Sequence, residues 1–188
     1  MNFNQFLQKK NVLAEAYTKT DAEPAVVGFV TCEPCHVGYL SLVAELVKLG
    51  EQHDVDPTLV ILEHDQDGGA KRFDDLAAVL SILEANYPTL RVKVADSIHT
   101  PIYEMSNFGM IPVAIVGENV HVRMAALVMK ELYHKPAEYK VLNLSEYKQS
   151  CIRAVKANSF NNFRAAILEC SFDLADRMFE QLKEVYNG

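Results

Sequence analysis

The residues of this chain best suited to chemistry crowd into one short stretch, Cys32-Glu33-Pro34-Cys35-His36-Val37-Gly38-Tyr39. Read through its thiols, the stretch is a C-x-x-C, the spacing of a redox pair in a cytosolic βαβ setting. A helix N-terminus favours a thiolate and lowers the thiol pKa, so a cysteine pair opening a helix is chemically sensible. The other residues form a second pattern, Pro34-x-His36-x-Gly38-Tyr39. The plainest alternative is a loop that carries these residues for no chemical reason.

Both patterns depend on what holds the stretch in place. Before it, Val26 to Val30 is a short apolar run rich in β-branched residues. After it, Leu40, Val43 and Val47 fall on one face of a periodic segment, with Leu42, Leu46 and Leu49 beside them. This predicts a strand, a tight turn and a helix. In an open α/β sheet the first such turn lies at the carboxyl end of a central strand, where ligands usually bind.

The 188 residues suffice for one domain with a full core plus appendages. A content of 49% hydrophobic and 23% charged residues is that of an ordinary globular protein. The formal net charge of −7 argues against a broad electrostatic grip on nucleic acid or on an anionic membrane. Small phosphorylated ligands stay open, because they need only a few local cations and backbone N–H groups. No stretch approaches the roughly 18 uninterrupted apolar residues of a membrane span, and Met1 to Gln8 does not read as a secretory signal. Four cysteines do not make a disulfide framework, and a reducing, cytoplasmic setting is the simplest expectation.

In order along the chain, Phe3, Phe6, Leu7, Leu13, Ala14 and Tyr17 recur at helical spacing and predict an amphipathic helix over residues 2 to 17. Its apolar face is a candidate for packing on its own domain or for docking a protein partner through Phe3, Phe6, Leu7 and Leu13. Thr18 to Pro24 reads as a linker, so residues 1–20 form an appendage. A Rossmann-like unit is then expected over 25–145 and a helical cap over 146–188. The first strand is expected over Ala25 to Val30 and its helix over Val37 to Gly50, with the glycine as terminator. Glu51 to Pro57 reads as a polar loop and Thr58 to Leu62 as a second strand. His64 to Gly69 is a turn-rich loop, followed by a helix from Phe73 to Asn86 that stops before Pro88. Leu90 to Val94 gives a third strand, and Pro101 to Phe108 a short helix with proline in its first turn. Val113 to Val116 is a fourth strand, with Gly117-Glu118-Asn119 leading into a helix through Tyr133. Tyr139 to Leu142 is a short fifth strand. From Lys148 onward the pattern is helical, broken at Asn158-Ser159 and at Cys170-Ser171. Strands alternating with helices predict a five-stranded parallel sheet with helices on both faces.

Several separated pieces of the sequence then fall into one pattern. Pro34-x-His36-x-Gly38-Tyr39 resembles the P-x-H-x-G-H signature of the HxGH-type nucleotidyltransferases. His64-Asp65-Gln66-Asp67 is similar to their polar loop after the second strand. Leu83 to Pro88, with Thr100-Pro101 downstream, resembles their aromatic-proline segment and the threonine-proline opening a short helix. Val113 to Gly117 resembles the strand leading into their glycine-serine-aspartate-arginine turn. Ser150 to Phe163 is similar to their I-S-x-T-x-x-R motif followed by two spaced phenylalanines. From about Ala25 to Val185 the chain looks like the small nucleotidyltransferases of tailed phages, members of the cytidylyltransferase-like (HUP) superfamily. That setting would be host cytoplasm or a phage particle. Thioredoxin-like domains are smaller, carry mixed-direction strands and often place a tryptophan before the redox pair. This chain has no tryptophan.

The resemblance implies a reaction. A nucleoside triphosphate such as ATP lies across the carboxyl edge of the sheet, and a small phosphorylated acceptor attacks its α-phosphorus, releasing pyrophosphate. Catalysis is then positioning and charge stabilisation, with Mg²⁺ accompanying the triphosphate. On this pattern His36, Tyr39 and Arg153 take the catalytic positions. Thr31, Pro34, Gly38, Gly117, Asn119, Lys148 and Ser150 take nucleotide-binding positions, and no protein side chain is assigned to a metal. A helix N-terminus supplies N–H donors to phosphate, and arginine offers a planar fork.

The departures are specific. Tyr39 replaces the second histidine, and a phenol with a pKa near about 10 offers no imidazolium at neutral pH. Val30 replaces a glycine, Asn119-Val120 replaces an aspartate-arginine pair, and Lys148 replaces the serine of I-S-x-T-x-x-R. Losing one preorganised donor costs on the order of 10²- to 10³-fold in rate. Three functions follow from these observations. The first is nucleotidyl transfer, weakened or lost at this degenerate active site. The second is a catalytically silent binding or structural component, for instance of a phage particle. The third is a thioredoxin-like thiol oxidoreductase acting through Cys32 and Cys35.

Overall fold

The computed structural model describes residues 1–13, 22–31, 38–63, 83–133, 137–167 and 172–187. Five strands form one sheet: β1 (Glu23–Thr31), β2 (Thr58–Leu62), β3 (Arg91–Ala95), β4 (Met110–Gly117) and β5 (Glu138–Val141). Their order is β3-β2-β1-β4-β5, and every pairing is parallel. The all-parallel doubly wound sheet is the Rossmann-like α/β architecture anticipated from the alternation of strands and helices. It is not the mixed sheet of a thioredoxin-like domain.

Strand β1 is buried from Ala25 to Val30 because both of its faces are covered, which its near-continuous apolar sequence anticipates. Successive side chains of a strand point to opposite faces, and two cores divide accordingly. Val26 and Val30 join Leu59, Ile61, Ala114 and Val116 in the first. Ala25, Val27 and Phe29 join Val60, Leu62 and Ile115 in the second. Helices α2 (Gly38–His53), α5 (Leu144–Lys156), α6 (Phe160–Ala166) and α7 (Phe172–Asn187) cover the first core. Helices α1 (Phe3–Leu13), α3 (His99–Asn107) and α4 (Asn119–Leu132) cover the second.

Of the two alternatives open for helix α1, its apolar face takes the first and packs on its own domain. Phe6 is fully buried, and Phe3 and Leu7 pack against the same second core. The rings of Phe3 and Phe6 flank His99 at centroid distances of 5.7 and 5.9 Å. The apolar stripe is spent on the chain's own fold. The side chain of Leu13 lies outside the described residues.

Helix α2 does not stop at Gly50, as the sequence suggested, but runs to His53. Its end is a Schellman arrangement. The N–H of Val55 donates to Gly50 O at 2.9 Å and that of Asp54 to Glu51 O at 3.3 Å, with Asp54 at φ 54°. Gly50 is required for a different reason. A Cβ there would lie 2.7 Å from Val55 O, because the chain folds back directly over it. Asn158 ends α5 in the same way, at φ 50°, and Ser159 then caps α6 by accepting from Asn162 N at 3.4 Å.

The remaining differences lie at element ends. Helix α5 starts at Leu144 rather than Lys148, because Leu144 already belongs to the stripe continued by Cys151, Ala154 and Val155. Strand β5 is exposed along its length, as an edge strand. Residues 83–86 are helical, and the rest of the helix expected from Phe73 lies outside the described residues, as does the break at Cys170-Ser171. No helix among the described residues is long and apolar enough to cross a membrane.

Candidate functional site

The chain enters the sheet at its centre, builds outward through β2 and β3, then crosses back to β4 and β5. Helix α2, which follows β1, lies on the first-core face. Helix α4, which follows β4, lies on the second-core face. This reversal is a topological switch point at the carboxyl ends of β1 and β4, the usual ligand position in an open α/β sheet.

One side of it is the end of β1. Thr31 is its last residue and is half-buried, and α2 starts at Gly38. Pro34 and His36, like Cys32 and Cys35, lie outside the described residues, and so does the side chain of Tyr39, although its backbone is in the first turn of α2.

The other side is the end of β4. A Cβ on Gly117 would sit 3.0 Å from Phe29 O, so the glycine lets β4 end close against β1. Asn119 is the first residue of α4 and is exposed. Two residues on, His121 is buried in the same turn and brings Nε2 to 3.3 Å from Thr31 Oγ1. This contact joins the two sides across 90 residues of sequence. No motif marked His121, and only the pairing of β1 with β4 brings it to Thr31.

Arg153 and Ser150 occupy a separate surface on α5. The Arg153 guanidinium donates to Ser150 Oγ at 3.3 Å. With Asn143, Glu146 and Gln149 they line an open depression of about 530 Å³. Asn143 closely follows β5, and Leu142 N–H donates to Gly117 O at 2.8 Å, so this surface begins beside the end of β4. Among the described residues that line it, Arg153 is the one cation and Glu146 the one anion. The side chain of Lys148 lies outside the described residues. Thus Thr31, Gly38, Gly117 and Asn119 gather at the ends of β1 and β4, while Ser150 and Arg153 form their own pair on α5.

Thr100-Pro101, one of the family-like pieces, opens α3 and serves its packing. Thr100 Oγ1 donates to Asp96 Oδ1 at 2.6 Å, and Ser97 Oγ donates to Met1 O at 2.6 Å. The Met1 ammonium, followed by the Thr100 hydroxyl, holds the Asp96 carboxyl down to about 2. Burial lowers the His99 pKa, helped by the Met1 ammonium and opposed by Asp96. Among the described residues no group of three or more His, Cys, Asp or Glu side chains is arranged to hold a metal.

No family model matches this chain, and no curated protein or solved structure matches it. The fold is that of a doubly wound α/β protein whose topological switch point lies between β1 and β4.

Proposed function

We propose that the chain binds a nucleoside triphosphate at the switch point between β1 and β4 and transfers its nucleoside monophosphate to a small phosphorylated acceptor, with release of pyrophosphate. The observation that carries this reading is the strand order. It brings the end of β1 at Thr31, the start of α2 at Gly38, and the Gly117-Asn119 connection to one switch point. In this reading the N–H groups of the first turn of α2 receive phosphate oxygens, and His36 contacts the triphosphate beside them. Arg153 and Ser150 supply further contacts to phosphate from α5, and Mg²⁺ arrives on the triphosphate itself. The acceptor oxygen bonds to the α-phosphorus as the bond to the bridging oxygen breaks, and pyrophosphate carries away that electron pair.

Tyr39, Asn119 and Val120 support a second reading, in which the site binds nucleotide without turning it over. One experiment separates the two. Thermal shifts are measured with ATP, CTP, GTP and UTP, each with Mg²⁺, beside a pyrophosphate-release assay across candidate phosphorylated acceptors. A ligand that binds the folded state raises its stability by mass action. Transfer predicts a shift with at least one triphosphate and slow pyrophosphate release. Silent binding predicts the shift alone. No shift with any triphosphate removes both readings.

A further inference from the structure

From the order of charges along the outer edge of β5, we infer that the chain pairs there with a second copy of itself. The two β5 strands run antiparallel about a twofold axis and join two five-stranded sheets into one. Strand β5 pairs with β4, and among the described residues no strand lies on its other side. All four of its residues are exposed, Tyr139 at 36% and Val141 at 52%. Leu142 N–H donates inward to Gly117 O. Backbone groups alternate in direction along a strand, so those of Tyr139 and Val141 point outward. Such an edge is a ready template for another strand. Its side chains divide by face. Tyr139 lies beside Ile115 and Lys140 beside Val116 in the sheet register. Tyr139 and Val141 therefore stand on the second-core face, and Glu138 and Lys140 on the first. There Lys140 Nζ lies 3.1 Å from Glu45 Oε1, and His53 Nε2 lies 3.5 Å from Glu138 Oε2, with Glu45 and His53 both on α2.

The register of this joint follows from parity and charge. A twofold axis perpendicular to the sheet keeps each face on its own side. Opposed residues must then share a face, so the axis passes through a residue rather than between two. An axis at Lys140 sets that lysine against itself, and one at Glu138 sets glutamate against glutamate, both unfavourable. An axis at Tyr139 sets Glu138 of each copy against Lys140 of the other, and Tyr139 against Tyr139 as a hydrogen-bonded pair. The charges across the joint then alternate in sign: Glu45, Lys140, Glu138 of the second copy, and its His53 when protonated. The arrangement is self-complementary, as a twofold interface requires. The sheet's other edge gives the contrast. Strand β3 carries two cations on one face, Arg91 and Lys93, and no acidic residue, so no twofold register there matches opposite charges. A lysine on an edge ordinarily discourages pairing. On β5 the glutamate two residues earlier makes the same charge a mark of register. Four residues form a short joint, so the dimer is weak and depends on concentration.

The test is sedimentation equilibrium of the full chain over a concentration series, with melting curves to verify the fold of each variant. The unmodified protein is expected to pass from monomer to dimer as concentration rises. Tyr139→Pro removes an outward N–H that pairs with nothing inside the monomer, a position where an edge strand tolerates proline. It is expected to weaken dimerisation by at least about tenfold. Glu138→Lys sets lysine against lysine across the joint, and Lys140→Glu sets glutamate against glutamate. Each alone is expected to weaken self-association by about tenfold. The two side chains are 54% and 47% exposed, so neither charge change threatens the fold. Mixed in equal amounts, the two variants are expected to associate with each other to within about threefold of the unmodified protein. Every facing pair is then lysine against glutamate, which a merely structural role for these residues would not produce. An unmodified protein still monomeric at about 1 mM overturns the inference. So does a dimer that Tyr139→Pro leaves unchanged, or a mixture that associates no more tightly than either variant alone.

Discussion

Arg153 and Ser150 lie on one face of α5, with the guanidinium Nη2 3.3 Å from the hydroxyl oxygen. The residues that line the depression with them, Asn143, Glu146 and Gln149, recur at the same helical spacing. A guanidinium held by a neutral hydroxyl keeps its charge for an anion, whereas a carboxylate partner would neutralise it.

Arg153→Ala is therefore expected to separate binding from stability. Arg153 is exposed, and its loss should change folding stability by less than about 0.5 kcal/mol. Triphosphate affinity should fall by about 1.5–3 kcal/mol, the range for hydrogen bonds to charged groups. Arg153→Lys keeps the charge but loses the fork and should recover only part of the affinity. Calorimetric titration alongside urea denaturation measures both quantities. Equal loss of affinity in Glu146→Gln would show that the depression does not discriminate for anions.

Phe6→Ala addresses α1. A fully buried phenylalanine replaced by alanine costs about 3–5 kcal/mol, and Phe6 has no exposed surface. The expected outcome is a large drop in the melting temperature. A helix that served only to dock a partner would leave it unchanged.

Much of this fold was legible because burial on both faces of a parallel sheet writes itself into sequence as apolar runs. Thr58 to Leu62 reads the same in sequence and structure for that reason. Gly50 misled because one residue type answers two demands. Helix ends favour glycine for its positive φ, but here glycine makes room for Val55 O, and Asp54 takes the positive φ. The site was legible only in part. Thr31, Gly117 and Asn119 sit at strand and helix ends that periodicity can locate. His121 was missed because a lone histidine on an apolar helix carries no signal until β1 and β4 are known to be neighbours. The C-x-x-C and His36 lie outside the described residues, so their roles rest on sequence alone.

His99 and Asp96 give stability two separate acid limits. In the folded state burial lowers the His99 pKa, so below about pH 6.5 the unfolded chain binds more protons and stability falls. Above that pH this contribution is constant. Asp96 is lowered from 3.8 to about 2, so its stabilising effect is complete above the ordinary value and is lost as pH drops toward the lower one. Urea midpoints should decline first between about pH 7 and pH 5.5 and again below about pH 4. His99→Leu should flatten the first decline and leave the second. A first decline that persists in His99→Leu would assign it to another histidine.

Cys151 provides a probe of the first core. Burial pushes its thiol up to about 12, and the side chain is buried among the residues of α5 to α7. The thiolate is the reactive form, so Cys151 should resist iodoacetamide at about pH 8 in the native protein and react once urea unfolds it. Peptide mapping of the alkylated chain reads this directly. Rapid native labelling would mean that α5 opens readily from the sheet.

Gly50 and Gly117 distinguish a demand of the fold from a demand of the site. Alanine usually stabilises a helix over glycine by roughly 0.5–1 kcal/mol. At Gly50 a Cβ would meet Val55 O at 2.7 Å and Pro57 Cδ at 3.0 Å. Backbone on one side and a ring on the other cannot both yield, so Gly50→Ala should instead destabilise by more than about 1 kcal/mol. Its position lies at the far end of α2 from the switch point, so triphosphate affinity of the folded fraction should be unchanged. At Gly117 the Cβ would lie 3.0 Å from Phe29 O and 3.6 Å from His121 Cβ. Relief there moves the end of β4 away from β1, which pulls His121 off Thr31. Gly117→Ala should therefore lose affinity as well as stability. Melting curves and titrations on the two variants measure this contrast. Unchanged nucleotide binding in a destabilised Gly117→Ala protein would show that the spacing of β1 and β4 at their carboxyl ends does not shape the site.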